Sequence, residues 1–409
     1  MWGIALQIAA IVGCLFLLTK FKLLATKVML LAYLYPAVYL VALQLLKGEV
    51  LSLGLRSYAN YLGLYFEYID VAFWTLIAGY LAYVAGLWSS RSTSFFIARS
   101  FVLDRAASYG LYGALILSVI VAYPWVFGLT PHRVGFLPGE AWNGIYVAIY
   151  IILLLVVKAE QTILRSSLIF WPLLLVVSGE RVDSILLLVC VLFIRPVMSG
   201  KTRSVAWKRA STVRTLLLGT VLSLGATYIG LLRGGETGWE RIAISLISHE
   251  TVRDVTHIYL SAFSYRESHG SDFRPLLNLV WSFIPFHPLG GGDSPISFTR
   301  ILRQHVWNNG GGLYITEGYI SFGMAGVLFY SWVLGVTQAQ MLRARSFIGG
   351  ALYLVAFALS LRLLWYGIEA LIKPLMIVSL LVMVLFGAVK ANNRSFGGLK
   401  QTKYAPASK

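Results

Sequence analysis

The sequence predicts an all-α protein that threads a lipid bilayer many times. Three observations lead there. First, 58% of the 409 residues are hydrophobic and only 12% are charged, with a mean hydropathy of +0.75. A water-soluble domain of that balance would lack the polar surface to face water. Second, apolar runs of roughly 18 to 20 residues recur, the length that crosses ~30 Å of hydrocarbon as a helix. Third, the short alternating segments of a β-barrel are missing from the pattern.

About eleven spans follow from apolar length. They are placed near 2–19, 28–46, 71–88, 108–128, 143–157, 166–178, 184–198, 215–232, 314–340, 347–365 and 372–389. The first run begins at Met1 without a basic leader or a small-residue cleavage site, so it reads as a span and not as a signal peptide. The sixth and seventh are short and meet at a hairpin around Gly179. The chain reads as one transmembrane domain over 1–409, with a large loop at 233–313 and a basic tail at 390–409. Cys14 and Cys190 fall in apolar runs and read as small buried hydrophobes.

The formal charge of +17 would suggest nucleic acid in a soluble protein. Here the basic residues gather in alternate short loops: Lys20, Lys22 and Lys27; Arg91, Arg99 and Arg105; Lys201, Arg203, Lys208, Arg209 and Arg214; Arg343 and Arg345; and the tail. The positive-inside rule makes that side cytoplasmic, with the N-terminus outside and the C-terminus inside. Nucleic acid is therefore not an expected partner, while membrane lipid is. Every histidine (132, 249, 257, 269, 287 and 305) and nearly every carboxylate falls on the opposite side. That asymmetry points to chemistry on the outer face.

The 233–313 loop is about eighty residues long, far above ordinary connections, and its tryptophans and phenylalanines argue against disorder. Arg241 to Tyr265 predicts an amphipathic helix. His249, Glu250, Arg253, Asp254 and His257 share a polar face, and Val252, Val255, Ile258 and Tyr259 an apolar one. Pro275 to Pro288 suits an interfacial or re-entrant piece. Glycine triplets at 290–292 and 310–312 mark turns around Arg300, Arg303 and His305.

Ionisable groups at span ends are costly to desolvate and are functional candidates. Glu180 and Arg181 sit at the short hairpin, Arg233 ends the eighth span, Glu317 stands at the outer entrance of the ninth, and Arg362 lies about one turn inside the tenth. Simpler roles compete. An arginine at a span end can snorkel to headgroups, Glu317 can complement a helix dipole, and the His249–His257 face can be merely solvated. Taken together the arginines suit an anion, because guanidinium binds phosphate bidentately and stays charged. A diphosphate on a lipid carrier fits an outer cavity at headgroup depth. A carboxylate or histidine beside it would serve as general base on a sugar hydroxyl, with no cofactor and no divalent metal needed. Glu67 with Asp70 is the one pair that keeps a metal-assisted variant open. There is no P-loop, dinucleotide fingerprint or nucleophile elbow.

Two stretches, Ser178-Gly179-Glu180-Arg181-Val182-Asp183-Ser184 and Gly312-Leu313-Tyr314-Ile315-Thr316-Glu317-Gly318-Tyr319-Ile320-Ser321-Phe322-Gly323, carry a family resemblance. They resemble the Gly-x-Arg and Glu-x-Tyr-x-x-Phe-Gly segments of bacterial O-antigen (Wzy-type) repeat-unit polymerases, although Ser321 stands where that family has Asn. The resemblance implies a GT-C-like helical membrane enzyme of the bacterial inner membrane. It would join oligosaccharide units carried on undecaprenyl diphosphate at the periplasmic face and release undecaprenyl diphosphate. Glu317, with Glu180 or His249, would be catalytic. Arg181 and Tyr319 would bind the diphosphate or glycan, joined by Arg233, Arg253, Arg303 and Arg362 on grounds of depth and charge. A chain-length regulator is a further partner consistent with the family. The competing readings are an O-antigen ligase acting on lipid A core, and a lipid-linked glycan flippase. A transporter is expected to show internal repeats, broken helices and deep charges.

Overall fold

The computed structural model describes residues 2–21, 23–45, 65–88, 96–98, 105–129, 141–157, 161–178, 204–206, 250–284, 294–303, 312–343, 347–360 and 375–384, with single residues near 186–190 and 362–372. The fold is helical. Its helices are α1 (Trp2–Leu18), α2 (Leu24–Leu45), α3 (Ile69–Leu87), α4 (Arg105–Ala122), α5 (Ala141–Val156) and α6 (Thr162–Ser178). After these come α7 (Glu250–His269), α8 (Arg274–Ser282), α9 (Phe298–Arg303), α10 (Tyr314–Phe322), α11 (Met324–Arg343), α12 (Phe347–Ala358) and α13 (Leu375–Val384). One small antiparallel ribbon pairs Phe96–Ala98 with Ser204–Ala206, joining two of the basic loops.

Three stretches, Thr26–Leu45, Phe66–Leu87 and Arg105–Ala122, are long and apolar enough to cross a membrane by length and composition. Large apolar side chains also point outward, among them Leu6, Val12 and Phe16 on α1, Trp74 and Leu81 on α3, and Leu117 on α4. A helix facing water would turn such residues inward. The expected spans at 184–198 and 215–232 lie almost wholly outside the described residues.

One packed group of helices is α1, α2, α3 and α11. α1 runs parallel to α3, since Gln7 Nε2 donates to Asp70 Oδ1 at 2.8 Å and Tyr80 OH donates to the Cys14 carbonyl at 3.1 Å. α2 runs antiparallel to α3, with the Tyr33 ring packed on Tyr80 and Tyr83 and Gln44 Nε2 donating to Asp70 Oδ1 at 2.8 Å. Glu67, the other acid of the pair noted in the sequence, is exposed, as is Asp70 itself. α11 lies parallel to α3 at very close range. A methyl group added to Gly86 would stand 2.8 Å from the backbone nitrogen of Val336, and one on Gly335 would meet Gly86 Cα at 3.0 Å. Small residues let two backbones meet where the surroundings offer no hydrophobic drive. Buried polar groups tie the helices here: Tyr83 donates to Gln338 across this seam, and Gln338 Nε2 reaches Met29 of α2 at 2.7 Å.

Two sequence expectations are corrected. Residues 314–340 do not form one span, because the helix breaks at Gly323 and folds back. Of the polar face expected on the loop helix, only the side chain of His257 falls among the described ones, and it is not solvated. Residues 255 to 263 of α7 are buried on every side, His257 included, because α2, α3, α9 and α10 enclose the helix.

Candidate functional site

The site is built on the hairpin of α10 and α11. Gly323 joins them at φ +64 and ψ −143, a conformation open almost only to glycine. Beyond this turn the helices press together. A Cβ on Gly318 would lie 2.9 Å from the Gly326 backbone, and one on Gly326 would collide with the Gly318 carbonyl oxygen. Tyr314, at the start of α10, donates to Ser331 Oγ at 3.0 Å, and the same Oγ lies 2.9 Å from Tyr33 OH. Ser331 in turn sits against Gly79, near the middle of α3. α10 is therefore a half-length helix whose N-terminus reaches the mid-level of the bundle and whose C-terminus stands at its end. Nine residues at 1.5 Å rise give a length of about 13 Å.

Glu317 lies in the first turn of α10 with a side chain 0% exposed. Helix N-termini carry partial positive charge, which favours a carboxylate there. Other buried polar residues are its chain neighbour Thr316 on α10, and Thr256 and His257 on α7, the helix that packs against α10. The hydroxyls of Thr256 and Thr316 have no hydrogen-bond partner among the described residues. A small apolar cavity touches the α10 N-terminus, lined by Tyr33, Leu76, Leu313, Tyr314, Ile315 and Leu364. Gly312, just before, is kept free of a side chain by the Phe298 ring of α9, which also contacts Gly367.

The other end of α10 is fastened by a residue that sequence reasoning missed. Arg266 of α7 donates through Nη1 to the carbonyls of Tyr319 at 3.0 Å and Ile320 at 2.8 Å, and its guanidinium lies 5.8 Å from the Tyr319 ring centroid. These are the carbonyls a helix end leaves without internal partners, at the end where a cation is favoured. The Tyr319 ring rests on Phe263 at 4.1 Å. Ser321 Oγ donates to the Asp272 carbonyl at 3.0 Å, and the Asp272 N–H donates to the Ile320 carbonyl at 3.3 Å. Ser321 thus ties α10 to the turn before α8. On that turn Arg274 grips Asp272, with Nη2 to Oδ2 at 2.6 Å, and Tyr265 OH donates to the same oxygen at 2.8 Å. Burial pushes the Asp272 carboxyl up, but the hydrogen bonds from Arg274 and Tyr265 outweigh it and hold it below its ordinary value. A linear sequence gives no sign that Arg266 meets residues more than fifty positions later.

The structure gathers some of the expected residues and not others. Glu317 and Tyr319 share α10, with Glu317 buried and Tyr319 half-buried. Half-buried Arg362 lies two residues from Leu364, which lines the cavity at the α10 N-terminus. Arg253 is on the first turn of α7, whose buried middle flanks α10. Arg303 ends α9 and is exposed, while Phe298, Ile301 and Leu302 of the same helix pack inward. Glu180, Arg181, Arg233 and His249 lie outside the described residues. The chain matches no family model, and no curated protein and no solved structure is significantly similar to it.

Proposed function

We propose that this protein is a glycan polymerase of the bacterial inner membrane, crossing it about eleven times with its active site on the periplasmic side. It would join oligosaccharide units carried on undecaprenyl diphosphate. The observation that carries the reading is Glu317, a buried carboxylate on a half-length helix held in place at both ends. It falls within the stretch that resembles the polymerases. In the reaction the acceptor sugar's hydroxyl attacks the anomeric carbon of the growing chain. The bond from that carbon to the diphosphate oxygen breaks, and undecaprenyl diphosphate leaves with its electron pair. Glu317 takes the hydroxyl proton, and guanidinium groups, Arg181 and Arg362 foremost, stabilise the charge on the departing diphosphate.

Purified protein supplied with lipid-linked repeat units should form a ladder of longer chains without added nucleotide or metal. Glu317→Gln keeps the side chain's shape and should slow the ladder by about 10²- to 10⁴-fold, the usual worth of a general base. Arg181→Ala should abolish it while the protein stays folded. Transfer of single units to lipid A core would favour a ligase instead.

A second reading gains support from one observation. The break at Gly323, with a carboxylate on the resulting half-helix, is a geometry used by secondary transporters. Movement of labelled lipid-linked glycan across a vesicle, with no new glycosidic bond, would establish that function and sink the polymerase.

A further inference from the structure

α8 is built inside out. Phe273, Leu277, Val280 and Ile284 recur at the 4-3-4 spacing of one helical stripe, and this stripe is exposed, Leu277 by 54% and Val280 by 55%. The opposite stripe, Pro275, Asn278 and Ser282, is buried, and its polar groups are served internally, as Ser282 Oγ donates to the Asn278 carbonyl at 2.9 Å. A helix facing water carries the reverse arrangement. The apolar stripe is also continuous with another surface. The Phe273 ring meets that of Phe322 at 5.3 Å. From Phe322 the exposed apolar side chains run on through Met324, Leu328, Phe329 and Trp332 of α11. α11 is pressed along α3, one of the helices long enough to cross a bilayer. On the other side of the same turn stand the charged and polar groups Arg274, Asp272 and Glu267. Apolar flank and charged rim within one short element match the boundary between acyl chains and headgroups.

We propose that α8 lies with its Phe273–Leu277–Val280–Ile284 stripe among the acyl chains of the leaflet that holds the α10–α11 turn. This nine-residue helix of the 233–313 loop is then lipid-embedded. Because Ser321 and Ile320 bond to the Asp272 backbone, the lipid boundary is fixed directly to the helix bearing Glu317. The proposal rests on the membrane-spanning reading and not on the reaction. It is measured on the folded protein whether or not glycan is polymerised.

The test places an environment-sensitive fluorophore on Leu277→Cys and Val280→Cys in phosphatidylcholine nanodiscs holding one copy each. Both native cysteines are buried, and the unsubstituted protein gives the labelling background. Leu117→Cys, 63% exposed on α4, is the lipid-facing reference, and Arg300→Cys, an exposed charged position on α9, is the water-facing one. Acyl-brominated lipid should quench the two α8 probes as strongly as the Leu117 probe, and aqueous iodide should quench them several-fold less than the Arg300 probe. Iodide quenching equal to that at Arg300, with no effect of brominated lipid, overturns the proposal. So does shielding from both quenchers, which would mean that protein covers the stripe. In detergent at rising protein concentration, shielding that grows would identify a second copy as the cover.

Discussion

Arg266 shows how much one side chain decides here. It satisfies two carbonyls at the end of α10 and lies beside the aromatic ring of Tyr319 in the same turn. Replacing it with methionine keeps the stem but leaves both oxygens without their charged donor, a loss of about 1.5–3 kcal/mol by the usual worth of such bonds. We expect Arg266→Met to lower the thermal unfolding temperature in detergent. Arg266→Lys should recover only part of the loss, since one ammonium cannot reproduce the forked geometry. Equal stability of all three proteins would remove the residue from this role. Arg274 behaves differently. It is half exposed, and its ion pair with Asp272 counts for less. With the Asp272 carboxyl held below its ordinary value, that small contribution is present above the unfolded carboxyl value and fades as pH falls through the folded one. Glu317 was legible in the sequence, as an acid where acids are costly. Arg266 and Asp272 were not, because their value comes from long-range contact with backbone atoms, which no residue pattern encodes.

At the level of single elements, the turn at Gly323 separates what hydropathy can report from what it cannot. Apolar character continues without interruption from α10 into α11, so a length criterion reads one span. The break lies in the backbone angle of Gly323 and in the contact of Gly318 with Gly326. The glycines were visible in the sequence, but glycine is common in membrane helices and marks no break by itself. Gly326→Val tests the packing directly, because its branched carbon has to displace the Gly318 carbonyl. We expect a cost at or above the upper end of the ~1–3 kcal/mol typical of overpacking, with loss of polymer synthesis. Gly110→Val, on the open face of α4, should change neither. His257 of α7 is buried for a related reason: helical period alone cannot tell a solvated position from one that another helix covers.

For the whole molecule, the helix directions provide a test of sidedness independent of any chemistry. The starts of α1 and α3 meet at Asp70, where the end of α2 also arrives, and the Tyr68 hydroxyl donates to Glu267 at the end of α7. These ends, with the turn before α8, should therefore face one side of the membrane, and the α1–α2 turn the other. In sealed inside-out and right-side-out vesicles, a membrane-impermeant maleimide should reach Glu67→Cys and Ser271→Cys from one side and Lys20→Cys only from the other. Labelling of all three from one side would refute the arrangement. The helical class could be read from composition. The packing order of the helices could not, since lipid-facing and buried apolar residues look alike in a one-dimensional pattern.

The parallel seating of α3 against α11 also constrains the chain joining them. A chain that descends through α3 and starts down again through α11 has to climb back to its starting level in between. A half-length helix such as α10 is not a passage and does not enter the count. The net passages between Leu87 and Met324 must therefore be odd in number. Any threading with an even number there is barred by geometry, whatever the protein catalyses or carries.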